Sequence, residues 1–165
     1  MSQILLGCDP EVFVKQGGLF RSAFGLIKGD KKNPQKVPRG AVQVDGMALE
    51  FNIDPAADED TFSVNVQSVL AHMRGMVPDY AVVATPVAHF DEAYMKQQPE
   101  EALELGCDPD YNAWVGGANP RPDGNRPMRT ASGHVHIGWT NGASGDDAAH
   151  QENCNKVVRN CDFVL

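Results

Sequence analysis

The chain has 165 residues, 42% of them hydrophobic and 22% charged, which are values of a globular domain and exclude a disordered one. At this length roughly two-thirds of the unfolded surface can be buried, so neither a metal nor a disulfide is needed merely to fold. A net charge of −8 and a pI near 5.0 argue against a general nucleic-acid binder, which needs a basic face to displace phosphate counterions.

Residues 4–6 and 12–14 read as one extended stretch interrupted at Pro10. Proline cannot donate to a central ladder, so it marks an edge, a bulge or a strand start. Residues 19–22 can pair with this stretch across Gly17-Gly18. The Gly- and Pro-rich stretches 25–46 and 116–133 read as long loops, which in a compact domain are functional or mobile. The clearest element is a hairpin over 42–53, its arms 42–44 and 47–53 joined by Asp45-Gly46, a pair suited to a type I′ turn. Alternation sets Ala48, Glu50 and Asn52 on one face and Leu49, Phe51 and Ile53 on the other. One face is apolar and packs on a core; the other is polar, with a carboxylate at its centre.

A helix is predicted over 58–76. Phe62, Val66, Val69, Leu70, Met73 and Val77 recur at spacings of three and four, and Asp58, Glu59 and Asp60 give an acidic first turn. Residues 80–85 read as a short buried strand, and 91–105 as helix broken near Pro99. Residues 133–139 read as a strand with His134 and His136 on one face. A last helix runs from about Asp146 and stops mid-pattern at Phe163-Val164-Leu165, with no glycine or basic turn, which reads as a fragment or an early stop. The start MSQILLGCD has neither a basic n-region nor a long apolar core, and no run approaches the ~20 apolar residues of a membrane span. Cys8, Cys107, Cys154 and Cys161 include no CxxC pair. A cytoplasmic protein with four free thiols, and no nucleic-acid or membrane partner, is expected.

Three constellations can carry chemistry. Asp9 and Glu11 lie two apart in an extended segment and so face the same way. Converging carboxylates repel unless a cation sits between them, and a hard ion such as Mg²⁺ or Mn²⁺ prefers oxygen ligands; Asp-Pro-Glu is also an ordinary turn sequence. Cys107-Asp108-Pro109-Asp110 nearly repeats it and is read as a turn. Glu50 interrupts an apolar strand, where a buried charge needs a partner and a wetted sheet face does not. His134 and His136, two apart on a strand, can reach one ion or ligand. Ser132-Gly133 before them is small enough to let the backbone approach a ligand. Basic residues gather at Lys28, Lys31, Lys32, Lys36 and Arg39 and again at Arg121, Arg126 and Arg129, either as solvated loop charge or as contacts to an anion.

Taken in chain order, GCDPEVFV, VQVDGMALEFNI, GCDPDYNAW and SGHVHIGW resemble signatures of the phage-encoded COOH–NH2 ligase, type 2 family, within the glutamine synthetase and glutamate–cysteine ligase superfamily. They span residues 7–139. The resemblance implies an α+β fold over residues 1–165, a curved antiparallel half-barrel sheet with helices on its outer face. It implies metal ligands at Asp9, Glu11, Glu50 and His134, with Gln43 and Asp45 as further site members, and catalytic roles for Glu11, Glu50 and His136. It also implies ATP with Mg²⁺ or Mn²⁺ as cofactors, the nucleotide held by Lys28, Arg39 and Arg129. Small-molecule or peptide carboxylate and amine substrates would be joined through an acyl phosphate.

Family members continue into a segment resembling Tyr-Gly-x-Glu-x-Arg. The chain is therefore expected to hold the N-terminal portion of one catalytic domain, inactive by itself, with a homo-oligomer or a completing chain as the open partner readings. Two other readings use the same residues. One is a binding protein that kept the fold and lost catalysis; the other is a metal hydrolase or oxygenase built on His134, His136 and a carboxylate.

Overall fold

The structure is a computed structural model and describes residues 3–105, 111–120, 126–139 and 143–164. In chain order the elements are β1 (Leu5–Cys8), β2 (Glu11–Gln16), β3 (Leu19–Arg21), β4 (Gln35–Val37), β5 (Gly40–Asp45), β6 (Ala48–Ile53), α1 (Glu59–Met76), β7 (Ala81–Val83), β8 (Val87–His89), α2 (Glu92–Met95), α3 (Glu100–Leu103), β9 (Tyr111–Asn112), β10 (Gly117–Ala118), β11 (Met128–Thr130), β12 (Val135–Gly138) and α4 (Ala148–Val164). The fold is α+β with antiparallel sheets, as expected. The contacts of the chain gather into two compact units. Among the described residues, one holds 3–105 and 126–138, and the other holds 111–120, 139 and 143–164.

In the first unit, the order β3-β2-β6-β5-β4 defines the main sheet, with β7 also on β2 and β12 on β1. Pro10 separates β1 from β2, and its carbonyl accepts from Phe51 N at 3.2 Å, a bond that needs no proline N–H. The Gly17-Gly18 turn forms as expected, both glycines having positive φ (58° and 81°) as a type I′ turn requires. The 42–53 hairpin is shifted by one residue. Asp45 pairs with Ala48, so the connecting residues are Gly46 and Met47, and of these only Gly46 has positive φ. A type I′ turn needs both. Met47 is only 2% exposed in a small core with Phe13 and Phe90, and this burial fixes the register. The supposed loop over 25–46 contains β4, and β7 is partly exposed rather than buried.

Leu49, Phe51, Ile53, Val12, Val14 and Val42 pack against Val69 and Met73 of α1 and Val77 at its C-cap, part of the expected apolar stripe. Asp58 caps α1, its carboxylate accepting from Thr61 N at 2.8 Å. The helical stretch 91–105 is realised as two single turns separated at Pro99.

The second unit is built differently. α4 begins close to the expected point, yet none of its described residues is buried. Among its contacts, Trp114 Nε1 donates to Asp162 at 2.9 Å, and the Arg159 guanidinium lies over the Trp114 ring. Among the described residues no helix is long and apolar enough to cross a membrane.

Candidate metal centre

Strand register brings the polar side chains together. Glu11 on β2 lies directly across from Glu50 on β6, and Glu50 directly across from Gln43 on β5. Directly paired residues share a face, and Asp45 lies two residues from Gln43 on that same face. Carboxylate oxygens of Glu11, Asp45 and Glu50 all lie within 4.8 Å of one another. Placing Asp45 in β5 rather than in the turn aims it at this point.

Each acid is held from the side. Ser132 N donates to Glu11 Oε2 at 2.8 Å, and Gln43 Nε2 donates to Glu50 Oε2 at 2.6 Å. The Asp45 side chain is 3% exposed, with the Lys31 ammonium 3.0 Å from Oδ2. Asp45 is thus in an ion pair with Lys31 and, on its other side, in side-chain contact with the Glu11 carboxyl.

The electrostatics are those of crowded acids. Burial pushes the Glu11 carboxyl above its ordinary value, the Ser132 amide opposes it, and Asp45 and Glu50 raise it further. Burial likewise raises Glu50, with Gln43 pulling down, Asp45 and Asp9 pushing up, and Lys31 pulling down. Without a cation, protonation relieves the repulsion; with one, the ion does.

Asp9 and the two histidines form an adjoining group. The 132–138 segment runs antiparallel to β1 and its extension. Asp9 N donates to His134 O at 3.2 Å, Glu11 N donates to Ser132 O at 2.8 Å, and Gly7 pairs with His136. Both imidazoles converge on one carboxylate, with His134 Nδ1 at 3.1 Å from Asp9 Oδ1 and His136 Nε2 at 3.1 Å from Asp9 Oδ2. In neutral rings a nitrogen facing a carboxylate carries the proton, which makes His136 Nδ1 the acceptor of that ring. Gly133 serves a different contact from the one expected. A side chain there would meet Pro10 Cα at 3.0 Å, so its smallness lets 132–134 close on the Asp9-Pro10-Glu11 backbone.

Of the expected ligand set, Glu11 and Glu50 meet directly, and Asp45 joins them. Asp9 and His134 stand beside this cluster, engaged with each other. Two of the three basic residues expected to hold nucleotide hydrogen-bond within the fold. Arg39 donates to Asn65 Oδ1 of α1 at 2.8 Å. The buried Arg129 donates to the carbonyls of Leu103, Arg126 and Met128, and Lys28 is exposed. The cation at the cluster is Lys31, which the sequence offers only as one of several loop lysines. The repeat at 106–110, like Arg121, lies outside the described residues. Cys8, Cys154 and Cys161 are free thiols.

Among the described residues, those that could hold a hard divalent ion are Glu11, Asp45 and Glu50, whose oxygens are anionic and close together. No family model matches the chain, and no curated protein or solved structure matches it.

Proposed function

We propose that this polar sheet face is the divalent-cation centre of an ATP-dependent carboxylate–amine ligase, and that the sheet is the curved half-barrel of the glutamine-synthetase superfamily. The observation that carries the reading is the approach of the Glu11, Asp45 and Glu50 carboxylates to within 4.8 Å. Folding otherwise gains nothing from placing three acids so close with one of them buried.

Glu11, Asp45 and Glu50 would hold Mg²⁺ or Mn²⁺. The ion, when bound, supplies charge neutralisation to a phosphoryl group in transfer from ATP to a carboxylate. The chain's own contribution is positioning. Ser132 N–H and Gln43 fix the carboxylate rotamers of Glu11 and Glu50. Asp9 orients both imidazoles, and His136 is 63% exposed at its side chain, open to a substrate beside the acids. An amine displacing phosphate from the acyl phosphate gives the amide.

A metal-dependent hydrolase or oxygenase draws on a separate observation, the convergence of His134 and His136 on Asp9. The discriminating experiment is phosphate release from ATP with mixed carboxylates and amines, in Mg²⁺, for the parent chain and Glu50→Gln. With a completing chain added, the ligase reading expects ATP- and amine-dependent release that Glu50→Gln abolishes, and little or none from the chain alone. Turnover of substrate with no nucleotide present would sink it in favour of the second reading.

A further inference from the structure

Given a divalent-ion site on this face, we propose that Lys31 is its place-holding cation: the ammonium rests on Asp45 in the metal-free protein, and the incoming ion displaces it. Asp45 is the first observation. A carboxylate whose side chain is 3% exposed needs a partner, and Lys31 Nζ, 3.0 Å from Oδ2, gives it a positive one. The same ammonium pulls the Glu50 carboxyl downward, so its field reaches across the cluster and not to Asp45 alone.

The backbone around Lys31 is pinned, which confines any exchange to the side chain. Val44 N donates to Gly29 O at 2.9 Å, tying the loop to β5 one residue before Asp45. Lys32 N and Asn33 N both donate to Asp30 Oδ1 at 2.8 Å. Gly29 fits so closely that a side chain there would lie 2.2 Å from Val42 O. The Lys31 side chain, by contrast, is 39% exposed. Its ammonium is a compact, strongly hydrated charge on a flexible stem, so it can exchange Asp45 for water without moving the loop. A divalent ion brings twice the charge and prefers several oxygens at once. Two cations cannot share so small a cluster without strong repulsion. Binding of the ion and release of the lysine are then one event.

Mn²⁺ alone is titrated into the whole chain and free Mn²⁺ is read by its paramagnetic resonance signal, for the parent, Lys31→Met and Lys31→Arg. With the competing charge gone, Lys31→Met should bind Mn²⁺ about ten-fold more tightly, within the usual range of site coupling. Lys31→Arg keeps the charge and should stay near the parent. Binding by Lys31→Met alone is the strongest supporting result, an ammonium that blocks the ion outright. Unchanged or weaker binding in Lys31→Met, with the parent binding, overturns the place-holder and leaves the metal site standing. No Mn²⁺ binding by the parent or Lys31→Met overturns both. A second measurement uses the parent chain itself. Reductive ¹³C-methylation keeps the charge on lysine, and the Lys31 resonance, assigned by its loss in Lys31→Arg, should move on adding diamagnetic Mg²⁺. A resonance that stays fixed while Mn²⁺ binds also overturns the proposal.

Discussion

The two faces of one β-hairpin are held in place by opposite means. On one face Leu49, Phe51 and Ile53 are buried against α1, and their contribution is the removal of apolar surface from water. On the other, reached from the same backbone by alternation, Glu50 and its neighbours are assembled against their mutual repulsion. The first face needs no ligand. The second is under electrostatic load until protons, Lys31 or a divalent ion neutralise it, so the fold spends stability from one side of the sheet to preform a site on the other.

The largest expected effect falls on the apolar face. Leu49 is 0% exposed, and Leu49→Ala should cost roughly 2–5 kcal/mol, the usual range for a truncated core leucine. Urea denaturation should give the same loss in Mn²⁺ and in chelator; a loss that depends on metal would mean the faces are not independent.

The polar face should behave in the reverse way. If Mn²⁺ binds only the folded chain, a hundred-fold excess over Kd adds about 2.7 kcal/mol, and Glu50→Gln should remove most of that gain. The pH dependence follows from the directions of the shifts. Glu11 and Glu50 have folded pKa values raised above their ordinary 4.5, so the folded state holds protons that the unfolded chain has released. Their contribution is intact below the unfolded pKa and is lost as pH rises through the folded values. Melting curves in chelator should therefore show these acids destabilising the protein upward from about pH 4.5, and Mn²⁺ should flatten that slope. A metal-free slope that Glu50→Gln leaves unchanged would remove Glu50 from this account.

Smaller effects test how local the comparison is. Asp58→Ala removes the α1 cap and should cost about 1 kcal/mol without altering the Mn²⁺ response, measured by the same denaturation in metal and in chelator. Phe163→Ser on α4, where the ring is 87% exposed, should change stability by no more than about 0.5 kcal/mol. A larger loss in the melting midpoint would show that this ring is covered in solution.

Much of this contrast was readable in the chain because it depends on neighbours in sequence. The period-two alternation of 48–53, the spacing of the α1 stripe and the Gly17-Gly18 turn each rest on local geometry. The details of the site were not local. Asp45 looked like a turn residue because Asp-Gly is a common hairpin pair and Met47 continued the apolar run. Burial of Met47 beside Phe13, a contact between distant segments, moves the turn and gives Asp45 to the cluster. Lys31 was one lysine among several, and nothing in its neighbourhood shows that Gly29 ties its loop to Val44. Arg39 and Arg129 carried the charge expected of anion contacts, but Asn65 and three backbone carbonyls take their hydrogen bonds. The two histidines were recognisable as a pair on one face; that a single Asp9 carboxylate receives both was not.

Pro10 and the strands on either side of it also set an order of assembly. Glu11, Asp45 and Glu50 come from the first 50 residues and lie on three adjacent strands, β2, β6 and β5. Ser132 and His134 reach Glu11 and Asp9 across separations of 121 and 125 residues. Closing the longer loop costs more chain entropy, though only logarithmically more, and in a growing polypeptide it must wait until the distant segment has been made. The acidic half of the site is thus complete while the histidines are still to be synthesised. A nascent chain would carry a cation-seeking cluster first and gain its imidazoles last, and pulsed hydrogen exchange during refolding should protect the Phe51 amide before that of His134.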